Sequence, residues 1–146
     1  MIVPTALVVD DTGDIRFLMK VLLAHSGLEV QEAENGDEAL AALADGVRPD
    51  IVVLDLQMPE RDGWETLTSL RALDGTTGIA VVVCSVKAGA SDVRRAWELG
   101  CDGYIKKPFS NTTFVDEIRA VVARTSDERR TVRAQRLLEA RALEAV

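Results

Sequence analysis

Short β-branched runs alternate five times with stretches of helical period, and this alternation leaves few folds open to the chain. The runs are Ala6–Val9, Glu29–Ala33, Ile51–Leu54, Ile79–Cys84 and Gly103–Ile105. Between the first two, Ile15, Leu18, Met19, Leu22 and Leu23 recur at the three-and-four spacing of one buried helical stripe, and Gly27 supplies a stop. A second helix is expected over Asp37–Ala44, with Ala39, Leu40 and Leu43 inward, and a third over Trp64–Leu73 on the stripe Trp64, Leu67, Leu70. A fourth spans Ser91–Leu99 and stops at Gly100; a fifth opens with Ser110 as N-cap and uses Phe114, Ile118, Val121 and Val122. Strands and helices in strict alternation predict an α/β, doubly wound, three-layer sandwich, because right-handed crossovers place helices on both faces of a parallel sheet. Ligands of such sheets bind at the carboxyl ends of the strands, here where Val9, Leu54, Cys84 and Ile105 hand over to loops.

The chain has 146 residues, enough to bury a core without disulfide or metal staples. Its two cysteines, Cys84 and Cys101, lack metal-type spacing and read as buried reduced thiols. The longest apolar runs fall far short of the roughly 20 residues of a membrane span, and no leader pattern opens the sequence, so a cytoplasmic location without membrane association is expected. A net charge of −7 argues against nucleic-acid binding by the body of the protein, since phosphate backbones reward a positive face. Residues 126–146 differ: five arginines face four acids, so the acidic excess lies in residues 1–125. The division expected is a folded domain over 1–125 and a C-terminal helical extension or linker over 126–146. The tail's stripe, Val132, Leu137, Leu138, Ala142 and Val146, is partial, which leaves a long exposed helix needing a partner and a frayed linker as alternatives. A homodimer through such helices is a possible consequence, as is contact of Arg129, Arg130, Arg133 and Arg136 with an acidic partner or nucleic acid; a solvated charged face is the plainer reading.

Each strand end carries a polar residue of a useful type. The first ends in Asp10 and Asp11, the third in Asp55, the fourth in Ser85, the fifth in Lys106, Lys107 and Pro108. Three carboxylates gathered at the top of a sheet repel one another, and a hard divalent cation such as Mg2+ relieves this, so Asp10, Asp11 and Asp55 form a candidate metal site. Phosphoryl transfer asks mainly for positioned cations and donors around the equatorial oxygens. Lys107 can supply the cation and Ser85 the hydroxyl, while Asp55 can act as a carboxylate nucleophile that forms an acyl phosphate. Taken singly, each aspartate could equally be an N-cap or turn residue, and Ser85 or Lys107 a surface group. Their joint placement at the strand ends favours the site.

Three stretches carry a resemblance: VVDD at Val8–Asp11, LDLQMPERDG at Leu54–Gly63 and GYIKKPF at Gly103–Phe109, with Gly36, Glu38, Ala39 and Leu40 between them. In this order they resemble the receiver domains of two-component response regulators, over about residues 5–125. The resemblance implies a flavodoxin-like sheet of order 2-1-3-4-5. It implies phosphorylation of Asp55 by a histidine kinase or phosphotransfer protein, an acidic pocket of Asp10 and Asp11, a metal ligand in the Gln57 backbone carbonyl, and catalytic roles for Lys107 and Ser85. It also implies a cis Lys107–Pro108 bond, a switch pair of Ser85 and Tyr104, and output to a downstream protein through the fourth helix, fifth strand and fifth helix. Such a module is not an enzyme in the turnover sense. Ser85 stands where threonine is more usual, and Val86 where a small residue is typical. Gln57 and Lys87 flank the path of water to an acyl phosphate and should tune its lifetime.

Other classes fit less well. A haloacid-dehalogenase-type phosphatase wants a second aspartate two residues after the nucleophile, where this chain has Gln57. A flavodoxin-like cofactor binder wants a phosphate-cradling loop after the first strand, where Asp10 and Asp11 would repel a phosphate. A phosphorylation-independent interaction module of the same fold is the remaining alternative. His25 falls at a helix end, where it suits the helix dipole. Trp64 and Trp97 follow core spacing, although Trp97 could also sit on a surface that a partner reads.

Overall fold

A computed structural model describes residues 3–58 and 62–146. The elements run β1 (Thr5–Val9), α1 (Gly13–His25), β2 (Glu29–Ala33), α2 (Gly36–Ala44), β3 (Ile51–Leu54), α3 (Gly63–Ala72), β4 (Ala80–Ser85), α4 (Ala90–Glu98), β5 (Gly103–Lys106), α5 (Asn111–Ala123) and α6 (Ser126–Glu144). The five strands are parallel in the order β2-β1-β3-β4-β5, so the expected doubly wound sandwich is what the chain forms. Most boundaries fall within a residue of those read from periodicity, the margin within which helix and strand ends are defined.

The three central strands are buried along their length, with only Thr5 at the start of β1 partly exposed, as a sheet covered on both faces requires. Their alternate side chains divide between two cores. Leu7, Val9, Val52, Leu54, Val81 and Val83 face α2, α3 and α4, meeting Leu43, Leu67, Leu70 and Trp97. Ala6, Val8, Ile51, Val53, Val82 and Cys84 face α1 and α5, meeting Met19, Leu23, Phe114 and Ile118. Within the first helix the stripe is narrower than its spacing suggests. Leu18 is 36% exposed and Phe17 66%, because Met19 and Leu23 define the inward line and Leu18 falls at its edge, over the cleft described below.

Helix ends are fixed by local chemistry. The side chains of Asn35, Asp62, Ser110 and Thr125 accept hydrogen bonds from the backbone N–H of Glu38, Glu65, Thr113 and Glu128, satisfying donors that a first turn leaves open. After α1 the chain reverses at Gly27, whose φ of 89° lies in the left-handed region. No helix among the described residues is long and apolar enough to cross a membrane.

The tail forms a continuous helix, α6, with a reciprocal capping box between Thr125 and Glu128. It is a helix and not a frayed linker, and it folds back across α4 on one side while most of its residues stay exposed. Ala140 is buried in the same core as Trp97 and Cys101, and Leu137 packs against that core from the edge. Trp97 is thereby covered, being only 6% exposed. The sparse stripe of the tail hid this docking, since much of the attachment is polar.

Candidate functional site

The ends of β1 and β3 stand side by side, with Val9 in register with Leu54 and Leu54 with Val83. This register delivers Asp10, Asp55 and Ser85 to one edge of the sheet. Asp10 and Ser85 are fully buried, Asp55 nearly so, and Asp11 is exposed. Carboxylate oxygens of Asp10, Asp11 and Asp55 lie within 4.8 Å of one another, so the structure brings the three expected acids together.

Each group is aimed by short-range bonds. The Asp10 Oδ1 accepts from the Thr12 N–H at 2.9 Å, and the Asp55 Oδ1 from the Gln57 N–H at 3.1 Å, turns that aspartate favours after a strand. The Lys107 ammonium donates to Asp10 Oδ2 at 2.6 Å and lies 3.5 Å from Asp55 Oδ2. Lys107 is turned inward at a cis Lys107–Pro108 bond, while its own N–H donates to the Ser85 carbonyl at 2.8 Å. Ser85 Oγ accepts from the Lys87 N–H at 3.1 Å, and the Tyr104 hydroxyl donates to the Lys87 carbonyl. The motif residues Pro59, Glu60 and Arg61 lie outside the described residues.

Electrostatics follow from this crowding. Burial raises the Asp55 pKa above the ordinary carboxylate value against the opposing pull of the Gln57 N–H and Lys107, and Asp10 and Asp11 push it further up. Burial alone would depress the Lys107 pKa. Its bond to Asp10 and the nearby Asp55 carboxylate outweigh that, and the ammonium is held more firmly than in free lysine. One lysine among three carboxylates leaves an excess of negative charge. The donor set is all oxygen, closely spaced and open on the Asp11 side, which suits a small hard dication.

Two positioning features were not apparent in the sequence. Arg16, on the first turn of α1, donates to the Asp10 backbone carbonyl at 2.7 Å and pairs with Glu32 at 3.2 Å, pinning the acidic loop to β2. Gly63 opens α3 so close to the Asp55 peptide that a Cβ there would sit 2.3 Å from the Asp55 carbonyl oxygen. Arg16 has no signal beyond an arginine near a motif, and Gly63, though it ends the Leu54–Gly63 motif, carries no sign there of its close approach; both depend on how the loops fold together. Asp11, Asp55 and Lys107 open on a cleft of about 600 Å³ whose other walls include Ile15, Leu18, Val86 and Phe109.

Comparison with known proteins agrees with this geometry. Residues 6–119 match the family model of the response regulator receiver domain. Among curated proteins, the chain is 35% identical over 125 residues to the phosphate regulon transcriptional regulatory protein PhoB of Pseudomonas aeruginosa, covering 86% of this chain and 54% of PhoB. It is 38% identical over 121 residues to the transcriptional regulatory protein PrrA of Mycobacterium tuberculosis, covering 83% of this chain and 51% of PrrA. The chain thus spans about half the length of the curated relatives it matches. Among solved structures, the chemotaxis response regulator CheY4 of Vibrio cholerae superposes with a TM-score of 0.76 at 27% identity, over 82% of this chain and 99% of CheY4. With its sheet order, its strand-end acids and these matches, the chain belongs to the receiver domain family of response regulators.

Proposed function

We propose that Asp55 accepts a phosphoryl group from a histidine kinase or phosphotransfer protein in a Mg2+-dependent reaction, and that the modified domain changes its contacts with a downstream protein. The observation that carries this reading is the convergence of Asp55, Asp10, Asp11, Lys107 and Ser85 on one edge of the sheet, with Lys107 spanning two of the acids. An Asp55 carboxylate oxygen forms the new O–P bond as the P–N bond of a phosphohistidine breaks, and the electron pair leaves on the imidazole nitrogen. Lys107 is within reach of both Asp10 and Asp55, so its ammonium can follow charge onto a transferred phosphoryl oxygen. Mg2+ held by Asp10, Asp11 and Asp55, with the Gln57 carbonyl as a further ligand, would supply the positive charge that lets an anionic carboxylate approach an anionic phosphoryl group.

The switch reading rests on a chain of bonds: Lys107 to the Ser85 carbonyl, Ser85 Oγ to Lys87, Lys87 to Tyr104. A Ser85 hydroxyl drawn toward a phosphoryl oxygen gives up its bond from the Lys87 N–H, which loosens the loop that holds Tyr104. Dehalogenase-type turnover would use an aspartate two residues after the nucleophile, where this chain has Gln57. The test is intact-protein mass after incubation with acetyl phosphate and Mg2+. A single phosphate-sized increment that needs the metal and disappears in Asp55→Asn is the expected result; no increment in the wild type under any condition overturns the reading.

A further inference from the structure

The α4–β5 edge, through which the proposed switch would act, is already occupied. Arg133 of α6 reaches the buried Asp102 carboxylate and donates to the Cys101 carbonyl at 3.2 Å. Further along, Arg141 pairs with Glu98 at 3.3 Å, and Glu144 with Arg94. Ala140 fits against Trp97 between these pairs, and a cleft of about 360 Å³ remains where α6 passes Tyr104. The surface beneath α6 therefore offers acids at Asp102 and Glu98, a flat aromatic at Trp97 and room for one small residue.

The attachment is of a kind that can be undone. Whereas α5 buries Phe114, Ile118 and Val121, the only fully covered apolar residue of α6 is Ala140. Its other anchors are Leu137 at the core's edge, arginine bonds to the Cys101 and Gly78 carbonyls, and ion pairs, several of them partly solvated. The joint between α5 and α6 is two extended residues, Arg124 and Thr125, and the capping box lies within α6 and its own N-cap, so α6 keeps its first turn when it moves as a unit. We infer that the α4–β5 face is a docking groove for a basic amphipathic helix, that α6 is its resident in the unmodified chain, and that a partner helix of the same pattern enters as α6 leaves. The pattern is an arginine for Asp102, a small residue seven positions on for Trp97, and a second arginine beside it for Glu98, as Arg133, Ala140 and Arg141 are arranged here. Tyr104 lines this groove and is tied through Lys87 to Ser85, which gives the Asp55 pocket a physical route to it. That coupling rests on the phosphoacceptor reading above.

A fluorescein-labelled peptide with the sequence of residues 126–146 serves as the partner helix, its affinity for the full chain read by anisotropy. Wild-type protein, with its groove filled, binds it weakly. Arg133→Ala loosens the resident helix and frees Asp102 for the arginine of the peptide, so this variant binds at least about tenfold more tightly, the scale of a lost charge-assisted bond. A scrambled peptide does not bind either protein. Equal affinity for wild type and Arg133→Ala, or equal binding of the scrambled peptide, overturns the groove. Wild type treated with acetyl phosphate and Mg2+ gains affinity by a similar factor, with intact mass measured on the same sample. A mass increment with unchanged affinity overturns the coupling while leaving Asp55 as the phosphoacceptor. No increment overturns the phosphoacceptor reading and its coupling, and the Arg133→Ala comparison still decides the groove.

Discussion

Asp102 is a buried acid outside the site with three partners, and replacing it by alanine has a cost that can be worked out from them. It is 2% exposed and accepts from Arg71 at 2.9 Å, from the Val81 N–H at 2.9 Å and from Arg133. Removing one member of a buried ion pair costs about 3–5 kcal/mol because the other charge stays buried. Arg71 retains the carbonyls of Gly100, Thr76 and Ile79, which places its share at the lower end of that range. The Val81 N–H, on a central strand, loses its carboxylate at a cost of about 1–3 kcal/mol. Arg133 is partly exposed and turns to water, adding about 0–1 kcal/mol. A loss of about 4–7 kcal/mol follows, which for a chain of this length lowers the thermal midpoint by roughly 12–20 °C. Asp102→Asn keeps an acceptor for Val81 and should lose about half as much. Equilibrium urea unfolding of the three proteins, compared at equal m-values, reads these differences. A loss below about 1 kcal/mol for the alanine variant, or an asparagine variant as weak as alanine, would show that Asp102 is hydrated and does not organise the α3–α4–α6 side.

Other expectations are simpler. Gly63→Ala forces a Cβ into the Asp55 carbonyl, so it destabilises by about 1–3 kcal/mol and slows phosphorylation, measured by urea unfolding and by the time course of the mass increment. Lys107→Ala leaves the acids without their shared cation, and phosphorylation by acetyl phosphate slows about 100-fold while circular dichroism stays native. Burial pushes the Cys84 thiol from 9.0 up to about 12, so in the folded state it resists iodoacetamide at pH 8 and is modified only as fast as the chain opens. Because that folded value lies above the unfolded one, the thiol's contribution to stability is full below about pH 9 and fades as pH rises toward 12; Cys84→Ala, compared by thermal unfolding along the same series, should flatten this alkaline decline.

Much of this architecture is legible because parallel sheets write themselves plainly. Fully buried strands such as Ile51–Leu54 and helices such as α3 differ in period, and the acids at strand ends acquire meaning once register puts those ends side by side. What escaped is of another kind. Leu18 obeys helical spacing yet lies exposed, since spacing locates a stripe but not its width. Arg16 and Gly63 matter through a backbone carbonyl and a close approach, neither of which depends on residue type alone. The docking of α6 escaped for a related reason. Pattern reading looks for apolar periodicity, and here Arg133 and Asp102, 31 residues apart, supply attachment that an apolar stripe would normally provide.

The direction of α6 has a practical consequence. Arg129 near its start donates to the Gly78 carbonyl ahead of β4, and Glu144 at its end meets Arg94 in the first half of α4. The helix thus climbs from the amino rim of the sheet toward the carboxyl rim. A dye or fused protein attached after Val146 is tethered near the α4 end of the Asp55 rim, whereas one attached ahead of Thr5 starts from the opposite rim. A donor there and an acceptor after Val146 would report α6 swinging away as a change in energy transfer, with no label inside the Asp55 cleft.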